Sequence, residues 1–581
     1  MVFLDIAEES WFDLGAMKAL KALFAVLIAA LCLTVLSYTA SAGSGTWKDR
    51  PDNGEWFDAN NWTSGTVPNG PNDISTFGSS KQTKVTASLS PEINAMVFDP
   101  GASAFTFTVR NASVFDISGV GITNNGRQVQ NFILQQDGFS SYGGAIHFSG
   151  NATAGNKTTF TLNPGYPGGV QSGQLYFLDS SNAGEANFVL QAGALSGAGG
   201  AYLTFKGTSS AANGKFLAQG STVSGAFGSL VDFSDRSSAG NGNFVLNGSA
   251  VSGRGNNYSD FYQNASAGNA TFIVKGGTVA GGNGSVVYFS GRTTASNATL
   301  IIQGGLNGGD GGLVEFSETA SGGTSRIVVN GNGALDIPSY SAPGMTVGSI
   351  EGDGNIFLES QALTIGSNGR DTIFAGLLQD GGASGGSGGS LVKTGQSRVV
   401  VTNPNTYTGG TSINAGSLVI NNSTGSGTGS GPVQVNAGRL GGTGTLAGPV
   451  TIGTGTGAGA ILAPGYANQA NPATLSLQST LTLNSDATYN CEFKSSVAAA
   501  DHVVSNGVTI TGGAQITLTD FDNSVLILGT VFTVIDNTSA IPIAGAFSNL
   551  PDGATLVIGQ NTFQANYEGG DGNDLTLTVM P

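Results

Sequence analysis

One column of residues in this chain has the types and spacing to do chemistry. His147, Tyr176, Thr204, Asp232, Asp260, Tyr288 and Glu315 each stand immediately before a phenylalanine, and those phenylalanines recur at intervals of 27 to 29 residues. If the phenylalanines point inward along strands, alternation turns the preceding residues outward. Asp232 and Asp260 then stack about 5 Å apart, with Asp235 close by. Two carboxylates at about 5–5.5 Å have the separation of a retaining glycosidase pair, and such a cluster could equally hold a cation. The competing reading is a row of solvent-facing polar residues. It is favoured because no acid or base partner completes a site, so Asp232, Asp260 and Asp235 are the fallback for an otherwise absent catalytic assignment. A groove over Asp232 and Asp260 with a neighbouring cation, for which Arg236 and Arg254 are the candidates, would favour the enzyme.

Other constellations are weaker. GGDGNDLTL, Gly569 to Leu577, matches the glycine and aspartate positions of the calcium-binding nonapeptide, with Thr576 at its apolar position. Calcium rolls need tandem copies and this is a single one, so a structural turn into the last strand is expected; Asp571, Asn573 and Asp574 are the fallback calcium ligands. Trp47, Trp56 and Trp62 could stack on sugars, but capping an open end is the favoured role. His147 and His502 share no motif and read as surface or strand residues. No nucleotide-binding loop, nucleophile triad or Cys/His cluster is visible, and no cofactor is expected.

The elements that must position these residues follow from a repeat. Phe160, Phe188, Phe216, Phe244, Phe272, Leu300 and Ile327 form one apolar column; Phe148, Phe177, Phe205, Phe233, Phe261, Phe289 and Phe316 form a second; Leu195, Val223, Val251, Val279 and Leu306 form a third, all with a period of about 28 residues. Twelve of the 31 phenylalanines fall in the first two columns. The gaps between columns are too short for crossover helices. They fit three short strands per coil, each stacked about 4.8 Å from its equivalent in the next coil. The expected fold is all-β, a right-handed parallel β-helix, right-handed because parallel crossovers are.

Composition agrees. Of 581 residues, 93 are Gly, 39% are hydrophobic and only 10% are charged, a balance that suits ordered, turn-rich β structure rather than disorder. The net charge of −16 and 21 scattered Lys and Arg exclude a nucleic-acid-binding surface. From Met17, Lys18 and Lys21 precede an apolar run from Leu23 to Leu36 and an Ala40-Ser41-Ala42 cleavage site. This is a secretory signal, with Met17 the expected true start and residues 1–16 a misassigned extension. Cys32 leaves with the signal, so Cys491 has no disulfide partner, and no membrane span is expected after cleavage.

The expected divisions are an N-terminal β cap at 43–100, regular 28-residue coils at 101–340, looser coils at 341–470 and a C-terminal β cap or sandwich at 471–581, with Gly381–Ser390 a flexible loop.

NTYTGGTSINAGSLVI (Asn405–Ile420), GSGPVQVNAGRLGGTGTLAGPVTI, ILAPG, VGSIEGDGNIFLESQALTIGSN and GGSLVKTGQSRVVV resemble the autotransporter-associated β-strand repeat, or passenger-associated transport repeat, family. The resemblance spans nearly all of the mature chain, its specific motif lying near 391–420. It implies a right-handed β-helix carried outside a Gram-negative-type cell, secreted or on the surface, with no catalytic residues. The family's self-exporting members end in a membrane barrel of alternating strands. None is expected here, so a separate secretion partner would be needed. The leading expectation is a non-enzymatic structural or adhesive protein meeting glycans or cell-surface components; the rivals are a polysaccharide-active enzyme and a passenger-like protein exported by a partner.

Overall fold

The structure, a computed structural model, describes residues 43–581 apart from 138–141, 168–171, 254, 339–343, 458 and 466–471. The signal segment, the proposed start at Met17 and Arg254 therefore lie outside the described residues. The chain is a parallel β-helix. One sheet of 14 strands runs from Gly45–Trp47 to Leu377–Gln379. A second begins at Lys84–Ala87 and continues, parallel pair by parallel pair, to Gln515–Asp520. A third of eight strands occupies the remaining face from Met345–Thr346 to Val508–Ile510.

Within the regular coils, four-residue strands such as Leu230–Phe233 and Asn243–Leu246 pair in unbroken register, Phe233 with Phe261 and Phe244 with Phe272. The strands are this short because each presents only two side chains to a narrow core. Their phenylalanines form two ladders of near-parallel, offset-stacked rings. Centroids are 4.7 Å apart from Phe205 to Phe233, 4.6 Å from Phe233 to Phe261 and 4.3 Å from Phe216 to Phe244. The ladders touch edge-on, Phe233 against Phe244 at 5.8 Å. Both geometries suit the ring quadrupole, and the rings are buried to within 1% of completely. Burying each is worth about 1.5–3 kcal/mol before chain entropy is subtracted.

The third face of these coils differs from the sequence expectation. It is not a strand but one bridging residue per coil, Asn182, Ser210, Ser238, Ser266 and Thr294 in succession. The third apolar column lies on loops instead: Leu195 is 49% and Leu306 62% exposed. Two phenylalanine ladders and a file of small buried residues, among them Ala183, Ala211, Ala239, Ala267 and Ala295, fill the triangular interior and leave no room for a third large column.

Corners are made by residues with positive φ. At one, Asp179, Asp235 and Gln263 have φ of 54°, 60° and 59°, a conformation whose strain is offset by side-chain bonds between coils. Asp179 Oδ2 accepts the Gly150 N–H at 2.9 Å, Asp235 Oδ2 accepts the Gly207 N–H at 3.0 Å, and Gln263 Oε1 accepts the Asp235 N–H at 2.6 Å.

Parallel pairing joins strands on either side of residue 100 and on either side of residue 470. Glu92–Phe98 pairs parallel with Val114–Asn124, and Thr445–Leu446 pairs with Thr474–Leu477. An antiparallel sheet forms where Val531–Asn537, Asp574–Met580, Asn561–Gly569 and Thr555–Ile558 close the C-terminal end. The segment expected to be a flexible loop is pinned at several points. Asp336 Oδ2 accepts the Ala383 N–H at 2.9 Å, Glu359 Oε1 the Ser384 N–H at 2.8 Å and Asp380 Oδ1 the Gly389 N–H at 2.9 Å.

Candidate functional site

The outward column is longer than its phenylalanine signature. Register partners run Glu92, Asp116, His147, Tyr176, Thr204, Asp232, Asp260, Tyr288, Glu315 and Asp336 along the first sheet. Glu92, Asp116 and Asp336 escaped the sequence alignment because isoleucine follows each of them rather than phenylalanine. His147 pairs with Asp116 below it, Nδ1 to Oδ1 at 2.9 Å, and packs edge-on against Tyr176 at 5.0 Å.

Asp232 and Asp260 are neighbours in this file, on adjacent strands. Burial pushes the Asp260 carboxyl up to about 6; the hydrogen bond from Tyr262 opposes that rise and the charge of Asp232 adds to it. Tyr262 donates to Asp260 Oδ2 at 3.1 Å, while Oδ1 is buried with no hydrogen-bond partner. Asp232 is raised by burial and held back by Lys206, and its Oδ1 is likewise unpartnered. Lys206 is the cation beside the pair. It was overlooked in the sequence because it follows its strand by one residue, beyond the column. Further along, burial lifts Glu315 to about 6, with Asp336 and Glu359 adding to the rise.

A cleft of about 770 Å³ opens beside Asp260. The strands supply Tyr202, Tyr258, Asp260 and Tyr288, the residue after a strand supplies Tyr262, and the loops supply Phe227, Asn256 and Asn283. The Tyr258 and Tyr288 rings lie 6.2 Å apart at an interplanar angle of 10°. Asp232 is not among the lining residues. A shallower groove of about 490 Å³ continues along the same face past His147, Tyr176 and Lys206.

Other sequence candidates fall elsewhere. Asp235 belongs to the corner described above, its carboxylate engaged by Gly207, and Arg236 is an exposed neighbour in that turn. The three tryptophans offer no face to a sugar, being 2%, 0% and 0% exposed. They pack edge-on at 5.1 Å (Trp47–Trp62) and 5.0 Å (Trp56–Trp62) over Phe77, and their indole N–H groups donate to the carbonyls of Gln82, Pro68 and Trp56. This closes the N-terminal end of the core. The GGDGND segment is a hairpin turn, Gly569 pairing with Asp574, with Gly570 at φ 61° and Gly572 at φ 110°. Asp574 Oδ1 accepts the Asn537 N–H at 2.9 Å and the Asn573 amide donates to the Ser539 carbonyl at 2.5 Å, so two of the three potential ligands are directed into the fold. Among the described residues, no three of His, Cys, Asp and Glu are grouped to hold a metal ion, and no helix is long and apolar enough to cross a membrane.

Asp232 and Asp260 rise from successive rungs of one sheet, side by side. Glycosidase carboxyls instead flank the scissile bond from opposite sides. Aromatic rings beside hydrogen-bonding groups are a binding arrangement, and the cleft volume falls within the range of small-ligand sites.

Residues 391–420 match the family model described as Passenger-associated-transport-repeat. Among solved structures, the crystal structure of the Haemophilus influenzae Hap adhesin is similar at 10% identity and a TM-score of 0.29, over 87% of this chain and 64% of that one. The chain thus covers less than two thirds of that adhesin chain. No curated protein matches.

Proposed function

We propose that this autotransporter-passenger-like repeat protein acts outside the cell, secreted or on the surface of a Gram-negative-type bacterium, as a non-enzymatic scaffold that makes adhesive or structural contacts. The observation that carries this reading is the passenger-associated transport repeat at 391–420, continuous in strand register with coils on both sides. Such a rod presents the same outward columns again and again, which favours many weak contacts over one reacting centre. The test is localisation of tagged protein, with protease accessibility on intact cells and comparison of attachment between a deletion strain and its parent. Surface-accessible or released protein together with weakened attachment supports the reading. Protein confined to the cytoplasm overturns it.

A second reading, a polysaccharide-active enzyme, is favoured by one observation, the paired carboxyls with Asp260 near 6. It requires product release from a polysaccharide that Asp260→Asn abolishes; a broad screen without products dismisses it.

A further inference from the structure

We infer that the cleft beside Asp260 is a binding site for a neutral polysaccharide chain, lying along the helix axis against Tyr202, Tyr258 and Tyr288. This rests on the extracellular contact role proposed above and gives that contact a place and a ligand class.

The aromatic surface comes first. Tyr202 and Tyr262 are each 41% exposed and Tyr258 36%, so rings that the core does not need are held half in solvent. Tyr202 and Tyr258 stand in one outward column two rungs apart, through Leu230, and Tyr288 lies one rung further on in the next column. They span three strand spacings, roughly 14 Å along the axis, an extended platform rather than a pocket for one ring. Flat apolar faces with hydroxyls at their rims match the C–H faces and equatorial hydroxyls of pyranose units.

A polar anchor is the second and independent feature. Asp260 is only 9% exposed and lines the cleft, with one oxygen oriented by Tyr262 and the other buried without a partner. A buried acceptor left unmade is costly, and because the carboxyl borders the cleft a small rotation on ligand entry would bring it a sugar hydroxyl as donor. The amides do not compete for that role, since Asn283 Nδ2 donates to Asn256 Oδ1 at 2.7 Å and Asn256 Nδ2 to the Gly284 carbonyl at 2.9 Å.

Charge selects the ligand class. Among the described residues lining the cleft there is an aspartate and no Lys or Arg; Asp232 adds a second carboxyl on the adjoining rung, its charge partly offset by Lys206 outside the cleft. Uronate or sulfated chains would meet like charge; neutral chains would not.

The test is isothermal titration of the purified mature chain with cellohexaose, maltohexaose, mannohexaose and xylohexaose, and with oligogalacturonate as the anionic arm. At least one neutral oligomer is expected to bind. Its affinity should fall about tenfold in Tyr258→Ala and in Tyr288→Ala, which remove the stacked faces, and fall similarly in Asp260→Asn. Tyr258→Phe, which keeps the ring, should stay within about twofold. Circular dichroism matching that of the parent confirms that each variant is folded, as expected for outward side chains. Absence of binding by every neutral oligomer, preference for oligogalacturonate, or indifference to Tyr258→Ala overturns the assignment. If it falls while the protein still reaches the surface and supports attachment, the cleft inference fails and the surface role stands.

Discussion

Two stretches of the same solenoid solve the problem of filling a coil differently. Between Ala145 and Phe316 the period is nearly constant, every coil has the same cross-section, and rings stack on rings. Across the passenger-associated repeat and after it the coil length varies. Third-sheet partners Leu391, Thr411, Val433 and Val450 are separated by 20, 22 and 17 residues. Among the described residues no ring–ring contact occurs between Phe316 and Tyr489. Instead the interior is largely aliphatic, with Phe374 and Tyr407 as isolated rings, and is fastened by buried polar side chains. Lys393 is fully buried, its Nζ donating to the carbonyls of Thr394, Gly395 and Ala415 at 2.6, 2.9 and 3.2 Å. Asn405 accepts the Leu378 N–H at 2.8 Å and donates to the Gly427 carbonyl at 2.7 Å, and Tyr407 shares a 2.6 Å bond with Thr411. Constant coil length lets identical side chains repeat. Variable length produces corners that differ, and each differing corner needs its own donor or acceptor. The family match falls on the second stretch, where Lys393, Asn405 and Tyr407 lie.

The largest effect that would break this contrast comes from the ladder. Phe233→Ala should cost about 4 kcal/mol, since neither neighbouring coil can collapse into the gap. Hydrogen exchange should show the loss concentrated in the coils carrying Phe205 and Phe261. Lys393→Met should cost about 2–3 kcal/mol by leaving three carbonyls without their charged donor. Its exchange signature should stay within the repeat and leave the phenylalanine coils protected; spreading into them would erase the distinction.

Acid titration sharpens the comparison further. Asp260 and Glu315, in the ladder region, are raised to about 6 by burial. A raised carboxyl binds its proton more tightly folded than unfolded. Its contribution is therefore fully present below the unfolded value and is lost as pH rises through about 6. The unfolding free energy extrapolated from urea titration should fall between about pH 4.5 and about pH 7, by on the order of 1 kcal/mol for Asp260, and Asp260→Asn should flatten the slope. Smallest of all, Asn269→Ala should cost about 0.5 kcal/mol or less. It interrupts the exposed amide file in which Asn269 donates to Asn241 and accepts from Asn297, both at 3.1 Å, outside the packed interior.

The two phenylalanine columns were legible because burial leaves an unmistakable periodic mark. The column Leu195 to Leu306 carried the same mark and was misleading: apolar side chains on loops keep the period of the coil without entering its core. The outward carboxyls could be placed by alternation, yet the cleft could not. Its walls combine strand positions, a residue just past a strand in Tyr262 and loop residues such as Phe227, which no single spacing links. The pinned loop at 381–390 was hidden for a related reason. Its anchors Asp336 and Glu359 precede it by tens of residues, and a glycine-rich composition says nothing about acceptors waiting beneath.

The corner at Asp179, Asp235 and Gln263 has a consequence for how damage travels. At each, a side chain from a later coil holds a backbone N–H of the coil before it. A fault at Asp235 therefore unsettles Gly207, upstream, while Asp235's own N–H remains held from downstream by Gln263. The rod has a grain, like timber: along this file of corners each side-chain bond points from a later coil to the one before it, even though the coils look alike.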